Sequence, residues 1–264
     1  MREDRAIQTV SDIKARLQDI DRDSFEVLER ALSADARKGV IQALESARKR
    51  LDAQDAEKQR LLSLYSFEAE VAEGKLVVGL DEVGRGSLAG PLAVAALVLP
   101  TDIIIEGLND SKKILPHKRK LIAHEIKKHA LACELSYIAA DEIDAVGMSA
   151  CLRVAFTRAL ASVEASGFYP EVILLDGNSL SLDARERNII KGDGRCASIA
   201  AASIVAKVER DAYMEQLAAH YPEYGFEANK GYGSGDHIAA IKQHGLCPEH
   251  RKSFCTSFLQ ESLF

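Results

Sequence analysis

Two short apolar runs, "KLVVGLDEV" (residues 75–83) and "GPLAVAALVLP" (90–100), limit the fold more than any other feature of the chain. Each is bounded by charge, glycine or proline and is short for a helix, so each predicts a buried strand. "LACELSYIAA" (131–140) predicts a third strand, and "PEVILLDGN" (170–178) a fourth centred on Val172–Leu175. Between and after them the period changes. "SACLRVAFTRALASVEAS" (149–166) sets Leu152, Ala155, Phe156 and Leu160 on one helical face, and residues 197–221 form one long helical pattern. Strands first and helices interleaved later indicate an α/β domain with a mixed sheet. From about Phe226 the pattern is short, polar and helix-loop in character.

Residues 1–72 obey a different rule. They contain one glycine, Gly39, and no proline. Ile7, Val10, Ile13, Leu17 and Ile20 recur at helical spacing, and Phe25, Leu28 and Leu32 follow Ser24 in a second helix. A third runs from near Asp35 to about Tyr65, through Val40, Ile41, Leu44 and Leu51. The expected organisation is a small all-α domain (1–72), "EGK" (73–75) as a hinge, and an α/β domain over 73–264 that includes the helical C-terminal segment.

Composition narrows the partners. The net charge of −6 over 264 residues excludes a strongly basic coat, so any nucleic-acid contact must use a local patch. Five scattered cysteines lack the spacing of a disulfide framework, which suits a reducing compartment. "MREDRAIQTV" is charged where a signal peptide needs an apolar stretch, and no apolar run approaches membrane-spanning length. A cytoplasmic protein without a membrane partner is expected.

The chemistry lies in the acids. Asp81 and Asp176 each close an apolar strand before a glycine-containing turn, Glu82 adjoins Asp81, and Asp193 sits in "KGDGR" ahead of the long helix. Functional groups in such sheets gather beyond strand ends. Burying neighbouring carboxylates is costly, so a positive partner is expected there. Successive strand residues face opposite ways, so Asp81 and Glu82 share a site only if the strand breaks at them, which Gly84 and Gly86 would allow. Four carboxylates without paired histidines make a hard oxygen site that suits Mg²⁺ or Mn²⁺ rather than zinc. One acid at a strand end is as readily a turn former or helix cap; three such contexts in one chain argue for a site.

"GLDEVGRGSLAGP", "LNDSKKI", "LLDGN", "KGDGRCASIAAASIVAKVERD", "NKGYGSGDH" and "HGLCPEHRKSF" resemble the successive motifs of bacterial ribonuclease HII, in order and spacing, across roughly residues 75–255. The helical N-terminus resembles the extension of some members. The resemblance implies a ribonuclease H-like mixed sheet flanked by helices. It implies an endonuclease that cleaves the RNA strand of RNA–DNA hybrids and nicks 5′ of single ribonucleotides in duplex DNA, by two-metal-ion hydrolysis leaving 3′-hydroxyl and 5′-phosphate ends. The family's Mn²⁺ or Mg²⁺ ligands then fall on Asp81, Glu82, Asp176 and Asp193. Gly84, Arg85 and Gly86 fall where the family reads the ribonucleotide's 2′-OH, and Tyr232 where it packs on the deoxyribose beyond the junction. Lys112 and Lys113 open a basic stretch continued by Lys118, Arg119, Lys120, Lys127 and Lys128, expected to meet phosphates. Ser203 and Lys207 match family positions, where small residues are expected to let the helix lie close to the sheet.

Other assignments compete. His244, Cys247, His250 and Cys255 have the spacing H-x2-C-x2-H-x4-C, loosely that of a structural zinc site, but fall in a segment the family folds without metal. Ribonuclease HIII shares the acids but has a different glycine-rich loop and a β-containing N-terminal domain. A catalytically silent hybrid-binding module would not need the full acid set, and a small-molecule metal phosphatase would not need "GRG" with Tyr232. A chain shortened to begin near Lys75 is expected to fold and keep its chemistry with weaker substrate binding. Residues 1–72 hold 13 Lys and Arg against 15 Asp and Glu, so contact there would need a clustered face such as Arg48, Lys49 and Arg50. Finally, Gln260, Leu263 and Phe264 reproduce the Gln-x-x-Leu-Phe spacing by which many bacterial replication and repair proteins bind the sliding clamp. The same apolar tail can instead pack on the chain's own C-terminal helices, and both readings stand.

Overall fold

The computed structural model describes residues 9–260. Ile7 of the predicted first helix, and Leu263 and Phe264 of the clamp-like tail, lie outside the described residues. Contacts group the chain into one unit ending at Leu62 and another beginning at Ser63. That division falls inside a helix, not at its end.

The first unit holds α1 (Val10–Gln18), α2 (Arg22–Ala31) and the first part of α3 (Lys38–Ala72). Thr9 and Asp12 form a reciprocal capping box on α1, and Asp21 accepts from the Ser24 amide to cap α2. Ile13, Leu17, Phe25, Leu28, Val40, Ala47 and Leu51 make its core. The basic triplet is partly spoken for: Arg48 pairs with Glu29, and Arg50 donates to the Leu17 carbonyl at 3.0 Å. Helix α3 outlasts its predicted end near Tyr65 because "SFEAEVA" contains no breaker; it stops where Glu73 and Gly74 take φ of 52° and 78°.

The second unit adds β1 (Val77–Val83), β2 (Leu92–Val98), α4 (Pro116–His129), β3 (Ala132–Ile138), α5 (Ala140–Val146), α6 (Met148–Ala165), β4 (Val172–Asp176), β5 (Glu186–Ile189), α7 (Ala197–Ala218), α8 (Phe226–Asn229), α9 (Gly235–His244) and α10 (Lys252–Gln260). The sheet order is β3-β2-β1-β4-β5. β1, β2 and β3 pair antiparallel, whereas β1 with β4 and β4 with β5 are parallel, as a mixed sheet requires. Strand alternation splits β1 between two layers. Val78 and Leu80 enter the core with Phe156, Ala159 and Val163 of α6. Gly79 and Asp81 face α7, and a Cβ on Gly79 would stand 2.3 Å from the Ser198 carbonyl carbon. Glycine there lets α7 lie directly on the strand that carries the first acid.

From Lys118 onward the basic stretch is α4, started by Pro116 in the first turn. Lys120 pairs with Glu215, Lys127 with Glu209 and Lys128 with Glu125. Arg119 is buried and donates to the Ser111 and Ile114 carbonyls at 2.9 Å each. Only Arg119 is thereby withdrawn from the stretch expected to meet phosphates; Lys120, Lys127 and Lys128 pair at the surface and keep exposed side chains.

Candidate active site

Parallel pairing assembles the acids. β1 and β4 are in register at Leu80 and Leu175, so the next residue on each strand, Asp81 and Asp176, stands beside the other where that pairing ends. β1 itself does not break at its acids, as the sequence suggested. It continues to Val83, with Glu82 opposite Val94 of β2. The side of β1 facing β4 is open beyond Leu80, and this opening, not a broken strand, gives Asp81 and Glu82 a common cleft. That cleft, of about 430 Å³, is lined by Asp81, Glu82, Gly84, Arg85, Gly86 and Asp176, together with Ser111, Lys112, Ser203, Lys207 and Tyr232.

Asp193 does not line the cleft. It is buried in the short turn Gly192–Gly194 ahead of α7, near enough to Asp176 for their charges to act on each other. The turn and Asp176 are tied directly, because the Gly192 amide donates to Asp176 Oδ1 at 2.6 Å. Lys113 also stays outside the cleft, with its ammonium 3.8 Å from Asp110.

The electrostatics are those of crowded anions. Burial, then the charge of Glu82, pushes the Asp81 carboxyl well above the carboxylate range; a hydrogen bond from the Ser203 hydroxyl works against this. Burial raises Glu82 too, opposed by Arg85, whose Nη1 lies 3.6 Å from Oε1. Burial and the charges of Asp176 and Asp110 raise Asp193, with Lys112 opposing. Among the described residues no three His, Cys, Asp or Glu side chains stand close enough to hold an ion as placed. Asp176 is turned to Gly192 and Asp81 to the Glu82 amide at 2.8 Å. The donor set nonetheless fits a divalent ion: several hard carboxylate oxygens reach one cleft, and the raised affinity of Asp81 and Glu82 for protons marks a shortage of positive charge.

Sequence reasoning missed two buried arginines that shape the other wall. Arg210 of α7 donates to the carbonyls of Pro91 (2.8 Å), Ala89 (3.0 Å) and Lys230 (2.9 Å) and to Ser87 Oγ (2.8 Å). Arg251 donates to the carbonyls of Gly90 (2.8 Å) and Arg85 (3.2 Å). Ser87 Oγ donates in turn to Gly84 O at 2.9 Å, and the Leu88 and Ala89 amides donate to Gly231 O. The segments "GRGSLAGP", "NKGYG" and "EHR" are thereby one unit. Gly84 has φ 88°, and a Cβ there would sit 2.2 Å from Arg210 Nε; beside Gly86 there is open space. The signal existed in "VERD" and "EHRKSF", but nothing in one sequence says that an arginine will be buried against carbonyls.

Ser203 and Lys207 are more than packing residues. Ser203 Oγ bonds Ser111 Oγ at 3.0 Å in the cleft wall, and Lys207 Nζ, paired with Asp211 at 2.7 Å, lies 5.6 Å from the Tyr232 ring centroid. His250, one of the zinc-like residues, has another use. Its Nδ1 accepts from the Cys247 amide at 3.0 Å, which leaves Nε2–H to donate to His237 Nε2 at 3.1 Å. His237 Nδ1–H then donates to the Tyr232 carbonyl at 2.9 Å.

A mixed sheet in this strand order, with acids at the ends of two parallel neighbours, places the protein among the ribonucleases H. The crystal structure of ribonuclease H2 from Pyrococcus horikoshii OT3 has a TM-score of 0.59 and 27% identity, covering 70% of this chain and 97% of that one. The fold is shared with Bst-RNase HIII, solved in complex with Mn²⁺ (TM-score 0.58, 21% identity, 74% of this chain and 73% of that one). Residues 78–257 match the family model Ribonuclease HII, and residues 9–72 match Ribonuclease HII N-terminal domain. A ribonuclease HII of Bacillus mycoides (strain KBAB4) is 40% identical over 248 residues, 93% of this chain and 95% of that protein. The chain belongs to the ribonuclease HII family. It is a ribonuclease H, a nuclease that acts on RNA–DNA hybrids, and the match of its N-terminal residues separates it from the ribonuclease HIII reading.

Proposed function

We propose that the protein nicks duplex DNA 5′ of single embedded ribonucleotides, as well as the RNA strand of hybrids, leaving 3′-hydroxyl and 5′-phosphate ends. The observation that carries this is the register that brings Asp81 and Asp176 together in the cleft lined by Gly84–Gly86 and Tyr232. Asp81, Glu82 and Asp176, with Asp193 beside Asp176, would hold Mn²⁺ or Mg²⁺. When bound, such ions supply Lewis-acid stabilisation of the charge that develops on the scissile phosphate. The chain's own groups do the rest. Lys112 and Lys207 present positive charge to the backbone phosphates. The Gly84–Gly86 backbone, open beside Gly86, approaches the minor groove and hydrogen-bonds the 2′-OH that distinguishes RNA. The Tyr232 ring packs on the next sugar and crowds a second ribose, so it selects by a clash as well as a contact.

The setting proposed is cytoplasmic. The five cysteines are free, and among the described residues no helix is long and apolar enough to cross a membrane. The tail motif of Gln260, Leu263 and Phe264 is proposed as a sliding-clamp ligand on its spacing alone. Domain roles follow the sequence: residues 1–72 as an extension to a catalytic domain over 73–264. The test is cleavage of a duplex with one ribonucleotide, with Mn²⁺ or Mg²⁺, beside an all-RNA hybrid. Nicking 5′ of the ribonucleotide is expected. Tyr232→Ala should lose more rate on that substrate than on the hybrid; equal losses would remove Tyr232 from junction reading.

A further inference from the structure

The last turns of α3 belong by contact to the unit beginning at Ser63, although the family's N-terminal domain is matched through residue 72. Phe67 and Val71 pack on the core of Val172, Leu174, Ile189, Cys196 and Ile199, under β4 and the start of α7. Tyr65 Oη accepts from the Ile105 amide at 2.9 Å. Two contacts in this stretch bear on the acids. Glu68 Oε2 accepts from both the amide and the hydroxyl of Ser198, at 2.7 Å each. The Arg195 guanidinium lies over the Phe67 ring, 4.4 Å from its centroid.

The start of α7 needs such a partner. Its N-cap residue is Cys196, which makes no side-chain cap hydrogen bond. Helix starts leave amides unpaired and carry partial positive charge, and a carboxylate satisfies both. Glu68 supplies from α3 the cap that α7 lacks. Burial raises its carboxyl, and the two Ser198 hydrogen bonds work against that, so it is held by this contact and not by solvent. Phe67 and Glu68 hold Arg195, Cys196 and Ser198, directly after the turn Gly192–Gly194. That turn carries Asp193, and its Gly192 amide holds Asp176.

We infer that Glu68, steadied by Phe67, is a positioning residue for the acid site: it fixes the start of α7 and so the placing of Asp193 and Asp176. This rests on the assignment of those two acids to ion binding. It also moves the cut for an isolated catalytic unit from near Lys75 to Ser63, because a chain begun at Lys75 lacks Tyr65, Phe67, Glu68 and Val71.

The experiment uses the full chain and two readouts, Mn²⁺ binding without substrate by electron paramagnetic resonance titration, and kcat with KM on the single-ribonucleotide duplex. Glu68→Ala should weaken Mn²⁺ binding about 10-fold, the lower end for loss of a group that orients a ligand, and lower kcat with KM unchanged. Glu68→Gln, whose carbonyl can still accept from Ser198, should recover most of both. Should Glu68→Ala fail to fold, Phe67→Leu, which keeps apolar volume but removes the ring under Arg195, decides by the same readouts with a smaller shift. Asp176→Asn separates the two levels. If it leaves Mn²⁺ affinity unchanged, the ion-binding assignment fails; if it weakens binding while the folded position 67 or 68 variants do not, Glu68 is only structural and this inference is overturned.

Discussion

Two clusters of buried charge lie in or behind the walls of the cleft and differ in how they are satisfied. The arginine cluster is complete: Arg210 and Arg251 spend their donors on carbonyls of residues 85–91 and 230 and on one serine hydroxyl. The acid cluster is not. Asp81, Glu82 and Asp193 are all raised, by burial first and by neighbouring charge after it. A satisfied buried charge stabilises a shape, and an unsatisfied one stores an affinity for whatever neutralises it. Under the proposed function the difference divides labour: the arginines would hold the loops that meet the nucleic acid, and the acids would hold the ion.

The largest expected effect tests the acid side. Asp81→Asn should lower turnover by more than about 100-fold, beyond the 10–100-fold loss typical of residues that merely support a ligand. Stability should move the other way. A carboxyl raised in the folded state contributes stability below its ordinary value near 3.8 and loses it as pH climbs through the raised value. Without divalent ions, Asp81→Asn should therefore raise the melting temperature at pH 7, and the gain should shrink towards pH 4. A variant less stable than the parent at pH 7 would mean that the acids are not strained against each other, and the contrast with the arginines would collapse.

The second effect tests the arginine side. Arg251 is fully buried, and burial followed by the charge of Arg210 brings its guanidinium down to about 10. Arg251→Ala leaves the carbonyls of Gly90 and Arg85 without donors inside the protein. A buried orphan such as the Gly90 carbonyl costs about 1–3 kcal/mol and the partly exposed Arg85 carbonyl less, so a loss of about 3 kcal/mol in urea unfolding is expected. Unlike the acid variant, Arg251→Ala should be destabilised with or without Mn²⁺. If added Mn²⁺ restores it to the parent's stability, the two clusters are coupled and not divided as argued.

The sequence made the acids legible because each signal is local: an apolar run, a carboxylate, a glycine turn. Strands β1 to β4 were legible for the same reason, and β5 was not, since "ERNI" offers no apolar run. The N-terminal helices were readable from spacing, but the unit boundary within α3 was not. It depends on what Phe67 and Glu68 touch some 130 positions later, at Ser198 and its neighbours. The arginine cluster shares that dependence. The pairing of lysines 120, 127 and 128 was hidden for a related reason: a basic run gives charge, while its glutamate partners lie on the same helix or on α7.

The smallest effect separates two adjacent lysines. The motif "NDSKK" treats Lys112 and Lys113 alike, but only Lys112 lines the cleft. Lys113 is 68% exposed along its side chain and stands 3.8 Å from Asp110, a contact worth little in solvent. Each phosphate contact contributes roughly 0.9 to the slope of log affinity against log salt on duplex DNA. Lys112→Ala should flatten that slope by about one unit, and Lys113→Ala by a fraction of it. The measurement is binding of a single-ribonucleotide duplex by a cleavage-dead Asp81→Asn background across a salt series. Equal flattening by both lysines would show that the nucleic acid spreads beyond the cleft to the exposed side of residues 111–113. The phosphate path would then need redrawing along the start of α4, where Lys118 is also exposed.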